Sequence, residues 1–504
     1  MPSGTLSAVA TPPGLPETVQ RLVPGFGSAA VWLVGGSVRD QILGRATADF
    51  DFAVQGDAIA LGRRLANELG ADYYDLDPER GAGRLILTTG EGRRSTLDFA
   101  ALRGRDILED LGRRDFTVNA MAIPLSTGGA AQLVDPLHGV RDLQHKQLRA
   151  CSATSIADDP IRAVRAARLS TELGLRIDAE TIAQIRRAGS ALAGVSPERM
   201  RDELFRMLER EESTTGLRLL DHLGLMDSVV PEISPLRGLP QPPPHAFDAF
   251  EHSLATVDHL DHLLRLLTGR AGKGAATEMT EAEVLTQLAG YRDPLTAYLD
   301  FSPSFGRPRS ALLLWSALLH DSGKSKSRAI DEEGRLRFFG HETLGARLAV
   351  EACRRLHLST VEQAEVEMTV LHHMRPEWLE TEGPPGPRAV YRFFRSAESV
   401  GVSVVLLSLA DLLGRFVPPA PQPAWARRLE TARLLLQAWF MERPVRVAPA
   451  LLLSGDDVMK LRGIGPGPEV GKILEALREA QAAGEVRSRQ EAEEFVRRSG
   501  AGEQ

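Results

Sequence analysis

Apolar and polar residues follow two rhythms along this 504-residue chain, and the change of rhythm divides it. Val31–Val34 is a short apolar run of the kind a buried strand makes. Gly35-Gly36 follows as a turn without side chains, and residues 37–43 continue at helical spacing. Asp49–Val54 and residues 95–100 return to the two-residue alternation of strands. Residues 26–150 thus predict a small α/β head, and residues 1–25 a loose tail. From 151 to 232 the pattern is almost wholly helical, as in 159–173 and Pro197–Leu208. A proline-rich break over 231–244 marks a boundary. A second helical stretch, 245–415, is interrupted by the irregular 269–279, read as a surface insertion. Residues 417–423 form another proline-rich linker, and 445–504 predict two helices around Gly463-Ile464-Gly465-Pro466-Gly467-Pro468. The expected class is α+β, an α/β head followed by an all-α neck, a helical body and a helical tail, with no internal repeats.

Composition narrows this without redirecting it. With 43% hydrophobic and 25% charged residues, the chain reads as a soluble protein of two to four domains. Its longest strongly apolar run, 311–319, is far short of the ~20 residues a membrane span needs. No secretory signal is visible at the N-terminus, and no membrane is expected. Cys151 and Cys353 are the only cysteines, too few for a disulfide framework or a zinc site, so a cytoplasmic location is expected. A net charge of −7 means that any nucleic acid must be met by local arginines. Such a supply exists at Arg162, Arg165, Arg168, Arg186 and Arg187, and again at Arg199, Arg201 and Arg206. Acids are interleaved among them, so a salt-bridged, solvated helix face is the alternative.

The chemistry concentrates at Asp49 and Asp51. Two residues apart on a strand, their carboxylates project from the same face and repel unless a cation lies between them. Divalent metal answers that need, because carboxylate oxygens suit magnesium and paired acids can hold two ions. Gly35 and Gly36 let the backbone approach a phosphate chain, and the helix that follows favours negative charge at its start. Asp98, on the next alternating strand, can complete a three-carboxylate site. A hairpin bearing solvated acids is the plainer alternative for Asp-Phe-Asp alone.

Further segments follow in order: Arg113-Arg114-Asp115-Phe116-Thr117-Val118-Asn119, Asp158-Asp159-Pro160-Ile161-Arg162 with Arg165 and Arg168, and Ser196-Pro197-Glu198-Arg199. Together they resemble the class II tRNA nucleotidyltransferase and bacterial poly(A) polymerase family over roughly residues 30–210. The resemblance implies that magnesium held by Asp49 and Asp51 activates an RNA 3′-hydroxyl against a nucleoside triphosphate. Arg39 is a candidate triphosphate clamp, its alternative being an ion pair with Asp40. Asp115 and Asn119, four apart on one helical face, look like the family's sugar-recognising pair. Asp159 and Arg162, three apart on a helix, combine an acceptor with a donor. That combination matches the amino group and ring nitrogen of cytosine and adenine and mismatches guanine and uracil. A helix start at Asp159-Pro160 is the structural alternative. Asp158 stands where the family more often has glutamate, which leaves any part in orienting Arg162 open.

In the second half, His252, His320-Asp321, and Asp411 match in order the metal ligands of the HD phosphohydrolase superfamily, with a divalent ion of undetermined identity. His341, His372 and His373 belong to an expanded site or simply line it. The tail's glycine-proline segment offers backbone N–H groups to RNA phosphate, or is a tight turn. The expectation is a CCA-adding enzyme using CTP, ATP and tRNA. A poly(A) polymerase, a relative adding only CC or only A, and an HD phosphohydrolase with a nucleotide-binding head are the rivals. The sequence leaves the oligomeric state open.

Overall fold

The computed structural model describes residues 16–88, 94–125, 132–210, 213–270, 279–304, 306–380, 383–417 and 421–498. The chain forms two compact units: one runs to Val195 and includes Leu223–Leu225, and the other comprises Ser196–His222 and the chain from Met226 onward. The division at Val195 falls within the stretch 151–232 that reads from sequence as one neck.

The first unit is built on a six-stranded sheet of order β3-β4-β5-β2-β1-β6. Its strands are β1 (Val31–Val34), β2 (Asp49–Val54), β3 (Asp72–Asp77), β4 (Ala82–Thr88), β5 (Arg94–Ala101) and β6 (Ala122–Pro124). Only β2 and β5 run parallel. Alternation gives the sheet two distinct faces. On one, Phe52 stacks on Phe99 at 4.8 Å beneath the helix Ala58–Leu69. That helix is capped by Asp57, which accepts from Ala60 N at 2.9 Å, and ended by Gly70 at φ 62°. Gly62 is required there, because a Cβ would lie 2.7 Å from the Tyr73 ring. On the other face Val34 and Ala53 pack with Leu111, Ala120 and Ala122. The same face presents Asp49, Asp51 and Asp98.

The second unit is a helical bundle. Helices Ala249–Thr268, Arg309–Leu319, His341–Arg355, Thr360–His372 and Gly401–Gly414, with the residues just past the ends of the second and fourth, supply the side chains of its polar centre. Gly414 lets two of them meet, since a Cβ would lie 2.7 Å from Thr256 Oγ1. The segment Pro387–Gly414 is long and apolar enough to cross a membrane by length and composition, but 83% of its apolar window is buried inside the bundle. The C-terminal module has its own core of Leu453, Val458, Val470, Ile473 and Leu477. It contains three helices, Gly455–Arg462, Pro468–Ala483 and Arg489–Arg498, one more than the sequence pattern predicts. Most of the predicted insertion at 269–279 lies outside the described residues.

Candidate active site and metal centre

Register brings the acids together. On β2 both Asp49 and Asp51 are exposed while Phe50 between them is buried. Asp51 pairs with Val34 of β1 on one side and with Asp98 of the parallel β5 on the other. Gly35 follows Val34 at φ 76°, ψ −143°, and a Cβ there would stand 3.0 Å from Asp51 Oδ2. The seven-residue helix Gly36–Ile42 follows, with Ser37 Oγ donating to Val34 O at 2.8 Å. Asp51 reaches solvent from a recess crowded by protein atoms. Loss of water and the carboxylates of Asp98 and Asp49 push its pKa up to about 6 against the pull of Arg114.

Several predicted residues are engaged differently from expectation. Arg39 is buried, ion-paired with Asp40 at 2.8 Å and donating Nη1 to Asn119 Oδ1 at 2.7 Å. The Asp40 ion pair is present, but on a buried arginine and not at the surface. Asp115 and Asn119 do not lie on a helical face. Phe116 is extended, and only the single 3₁₀ turn Thr117–Asn119 follows. They nevertheless meet, Asn119 Nδ2 donating to Asp115 Oδ1 at 3.2 Å. Arg165 Nη1 holds the other oxygen of Asp115 at 3.0 Å. Burial alone would raise the Asp115 carboxyl, but Arg165, the Phe116 N–H and Asn119 outweigh it and hold it below the usual carboxylate range.

Asp159 and Arg162 likewise do not share a helix. The helix begins at Ile161, Asp159 is extended (φ −152°, ψ 91°), and Pro160 stands at the N-cap without a side-chain cap. A residue preceding proline is driven out of the helical region. Arg162 is buried and its guanidinium grips the backbone. Nη1 donates to Arg114 O, Ser155 O and Ser155 Oγ, and Nη2 to Arg113 O, at 2.9–3.1 Å. Nε has no hydrogen-bond partner and lies 3.7 Å from Asp159 Oδ2. Asp158 accepts from Thr154 Oγ1 at 3.0 Å. The sequence does not single out Arg84, which pairs with both oxygens of Asp98 at 2.6 and 2.7 Å, or Arg114, held by the buried Asp110.

The chain matches the poly A polymerase head domain over residues 31–149, the probable RNA and SrmB-binding site of polymerase A over 174–236, and the HD domain over 250–415. An A-adding tRNA nucleotidyltransferase of Deinococcus radiodurans is 35% identical over 94% of this chain and 96% of its own length. This chain belongs to the tRNA nucleotidyltransferase family. A second family member, a CC-adding tRNA nucleotidyltransferase of Geobacter sulfurreducens, is 31% identical over 97% of this chain and 96% of its own length. A solved CCA-adding enzyme in complex with ATP shares the fold at 20% identity, with a TM-score of 0.60, covering 96% of this chain and 95% of that one.

The HD domain of this nucleotidyltransferase carries a buried polar centre. His252, His320, Asp321 and Asp411 converge as expected. His252 Nε2 lies 3.3 Å from Asp321 Oδ2 and 3.1 Å from Asp411 Oδ1, and His320 Nε2 lies 3.2 and 3.7 Å from the same atoms. His341 and His373 approach the other oxygen, Asp321 Oδ1, at 3.4 and 3.9 Å. Asp321 therefore joins two groups that could hold a metal, with His252/His320 and with His341/His373. His372 is not part of either. In all four histidines, His252, His320, His341 and His373, Nδ1 faces a backbone carbonyl, of Gly414, Ala317, Phe338 and Val370 respectively. A carbonyl only accepts, so Nδ1 carries a proton and Nε2 is the atom that could take a metal. The buried Nε2 atoms of His252 and His320 face carboxylate oxygens of Asp321 and Asp411, a set of imidazole and carboxylate donors of the kind that can hold a divalent ion. Burial alone would push the His320 imidazole down, but Asp321 and Asp411 overcome it and push its pKa up to about 10. Lys324 Nζ, 2.5 Å from Asp321, adds a buried cation. Gly323 makes the turn possible, since a Cβ would fall 2.1 Å from His341 O.

Proposed function

We propose that this chain adds C, C and A from CTP and ATP to the 3′ end of tRNA. The observation that carries this reading is the single sheet face on which Asp49, Asp51 and Asp98 stand beside Gly35. The residues fit a divalent ion: their donors are hard carboxylate oxygens, and the space that a Gly35 Cβ would fill next to Asp51 is kept clear. Magnesium, held by Asp49 and Asp51, would activate the terminal hydroxyl and neutralise the triphosphate for in-line displacement of pyrophosphate. Gly35 and Gly36 bring backbone N–H groups to the phosphates. Asp115 and Asn119, tied to each other and to Arg39 and Arg165, provide a rigid edge for the ribose. Asp159 accepts from the exocyclic amino group of cytosine or adenine while Arg162 donates to the ring nitrogen. Its Nε, buried beside Asp159, is the one guanidinium nitrogen not already bonded to the backbone or Ser155. Guanine or uracil would leave buried polar groups unpaired, at about 1–3 kcal/mol each.

A second reading, addition of only A or only CC, draws on the names of the two relatives matched end to end, A-adding and CC-adding. Both are tested by incubating the protein with tRNA lacking its 3′ end and labelled CTP and ATP, singly and together. Two C additions followed by one A support the full reading, and A alone or CC alone the narrower one. A long A ladder points to poly(A) synthesis, and no incorporation sinks all three. We further propose that the HD centre binds divalent metal and hydrolyses a phosphate ester, on the strength of its converging buried histidine and aspartate side chains. Metal content and turnover of bis(p-nitrophenyl) phosphate test this. Absence of metal from the intact protein would refute it. We also propose a cytoplasmic location, supported by the tRNA nucleotidyltransferase names of the relatives.

A further inference from the structure

The nucleotidyl-transfer face contains two guanidinium groups where three carboxylates alone would be expected. Arg84 lies directly across β4–β5 from Asp98 and occupies both of its oxygens. Arg114 is anchored to Asp110 through Nε and Nη2. Its remaining nitrogen, Nη1, turns toward Gly35: a Cβ there would be 3.2 Å from it and 3.0 Å from Asp51 Oδ2. Arg114 is also the main positive influence on Asp51. Three neighbouring carboxylates repel one another, so in the nucleotide-free protein these two arginines supply the missing positive charge.

The chemistry of the pairs makes them exchangeable. A bidentate guanidinium–carboxylate pair uses the oxygens that a divalent ion would take. The same planar fork suits phosphate equally well. Arg39, the sequence's candidate clamp, is already bonded to Asp40 and Asn119. Arg84 is only part-buried, with a third of its side chain exposed, and can swing toward solvent and a bound triphosphate.

We infer that Arg84 and Arg114 stand in for metal charge in the free enzyme and pass to the triphosphate when divalent ions reach Asp51 and Asp98. Metal and nucleotide binding then reinforce each other through these two side chains. The inference rests on the nucleotidyl-transfer reading of this face.

The test is titration of the full chain with Mn²⁺, followed by electron paramagnetic resonance, together with CTP kinetics at saturating Mn²⁺. The Mn²⁺ sites that Asp51→Asn removes define the centre. If Asp51→Asn removes none, the nucleotidyl-transfer reading itself fails. With those sites identified, Arg84→Gln is expected to bind Mn²⁺ roughly fivefold or more tightly without nucleotide, because the competing cation is gone. Its KM for CTP should rise by a similar factor, because a phosphate ligand is gone. A purely structural role would weaken both. Weaker or unchanged Mn²⁺ binding in Arg84→Gln overturns the exchange while leaving the reading of the site intact. Arg84→Lys, which keeps the charge and loses the fork, guards against misfolding and should fall between wild type and Arg84→Gln.

Discussion

Gly35→Ala probes the geometry of the catalytic face with a single methyl group. Two separable costs follow from the structure. Gly35 sits at φ 76°, ψ −143°, a region that side chains other than hydrogen avoid at about 1–3 kcal/mol. The new Cβ would also meet Asp51 Oδ2 at 3.0 Å and Arg114 Nη1 at 3.2 Å, so both groups must give way by a few tenths of an ångström. Misplacing a reacting group by about 1 Å costs roughly 10²-fold, so a smaller shift of Asp51 should lower incorporation ~10- to 100-fold. Single-turnover incorporation of labelled CTP or ATP into tRNA measures this, with thermal unfolding measured in parallel. At about 2–4 °C per kcal/mol, the strain should also lower the Tm by several degrees. Gly44→Ala is the control. Gly44 also has positive φ (66°), but a Cβ there would touch nothing within 4 Å. It should lose stability and keep its rate. Incorporation by Gly35→Ala within about twofold of wild type, or an equal loss in Gly44→Ala, would refute the claim that the glycine keeps space clear beside Asp51.

Asp51 predicts a pH dependence in metal-free buffer. Its folded pKa of about 6 lies above the unfolded value near 3.8, so protonation favours the folded state. That contribution is complete below pH ~4 and is lost as pH rises through about 6. The Tm of wild type relative to Asp51→Asn in chelator should fall across that window, and a flat difference would contradict the assigned environment. Arg162→Ala removes four hydrogen bonds to Arg113, Arg114 and Ser155. It should cost about 2–4 kcal/mol by urea unfolding and weaken rejection of GTP and UTP at least tenfold; unchanged selectivity would leave Arg162 a purely structural residue. Gly323→Ala drives a Cβ into His341 O and Gly345 N. It should abolish metal uptake by the HD centre and cost at least 1–3 kcal/mol, and normal metal content would show the turn to be less constrained than it is drawn.

The strands that carry the acids are legible because alternation over Asp49–Val54 reports burial directly, Phe50 and Phe52 inward and the aspartates out. The candidate HD ligands are legible because they follow one another in a recognisable order, His252 and Asp411 on helices of the bundle and His320 and Asp321 in the turn after one. Where the reading departs from the structure, local geometry is the reason. Pro160 forces Asp159 out of the helix, and the extended, buried Phe116 breaks the helical period that Asp115 and Asn119 suggest. Arg84 carries no local signal at all. Its partner Asp98 lies 14 residues away and meets it only through the β4–β5 register. For His341 and His373 the sequence leaves open an expanded site or a lining role, and the fold turns their Nε2 atoms toward Asp321 Oδ1.

Nucleotidyl transfer to tRNA is proposed to depend on Asp49 and Asp51. Incorporation of labelled CTP and ATP into tRNA lacking its 3′ end, by wild type and by Asp49→Asn and Asp51→Asn, tests it most directly. Wild type should add nucleotides and either variant should lose on the order of 10³-fold or more, because the metal charge that stabilises the transition state would no longer be held. Each variant should still fold and keep its HD metal. Addition at a near-normal rate by either variant would contradict it.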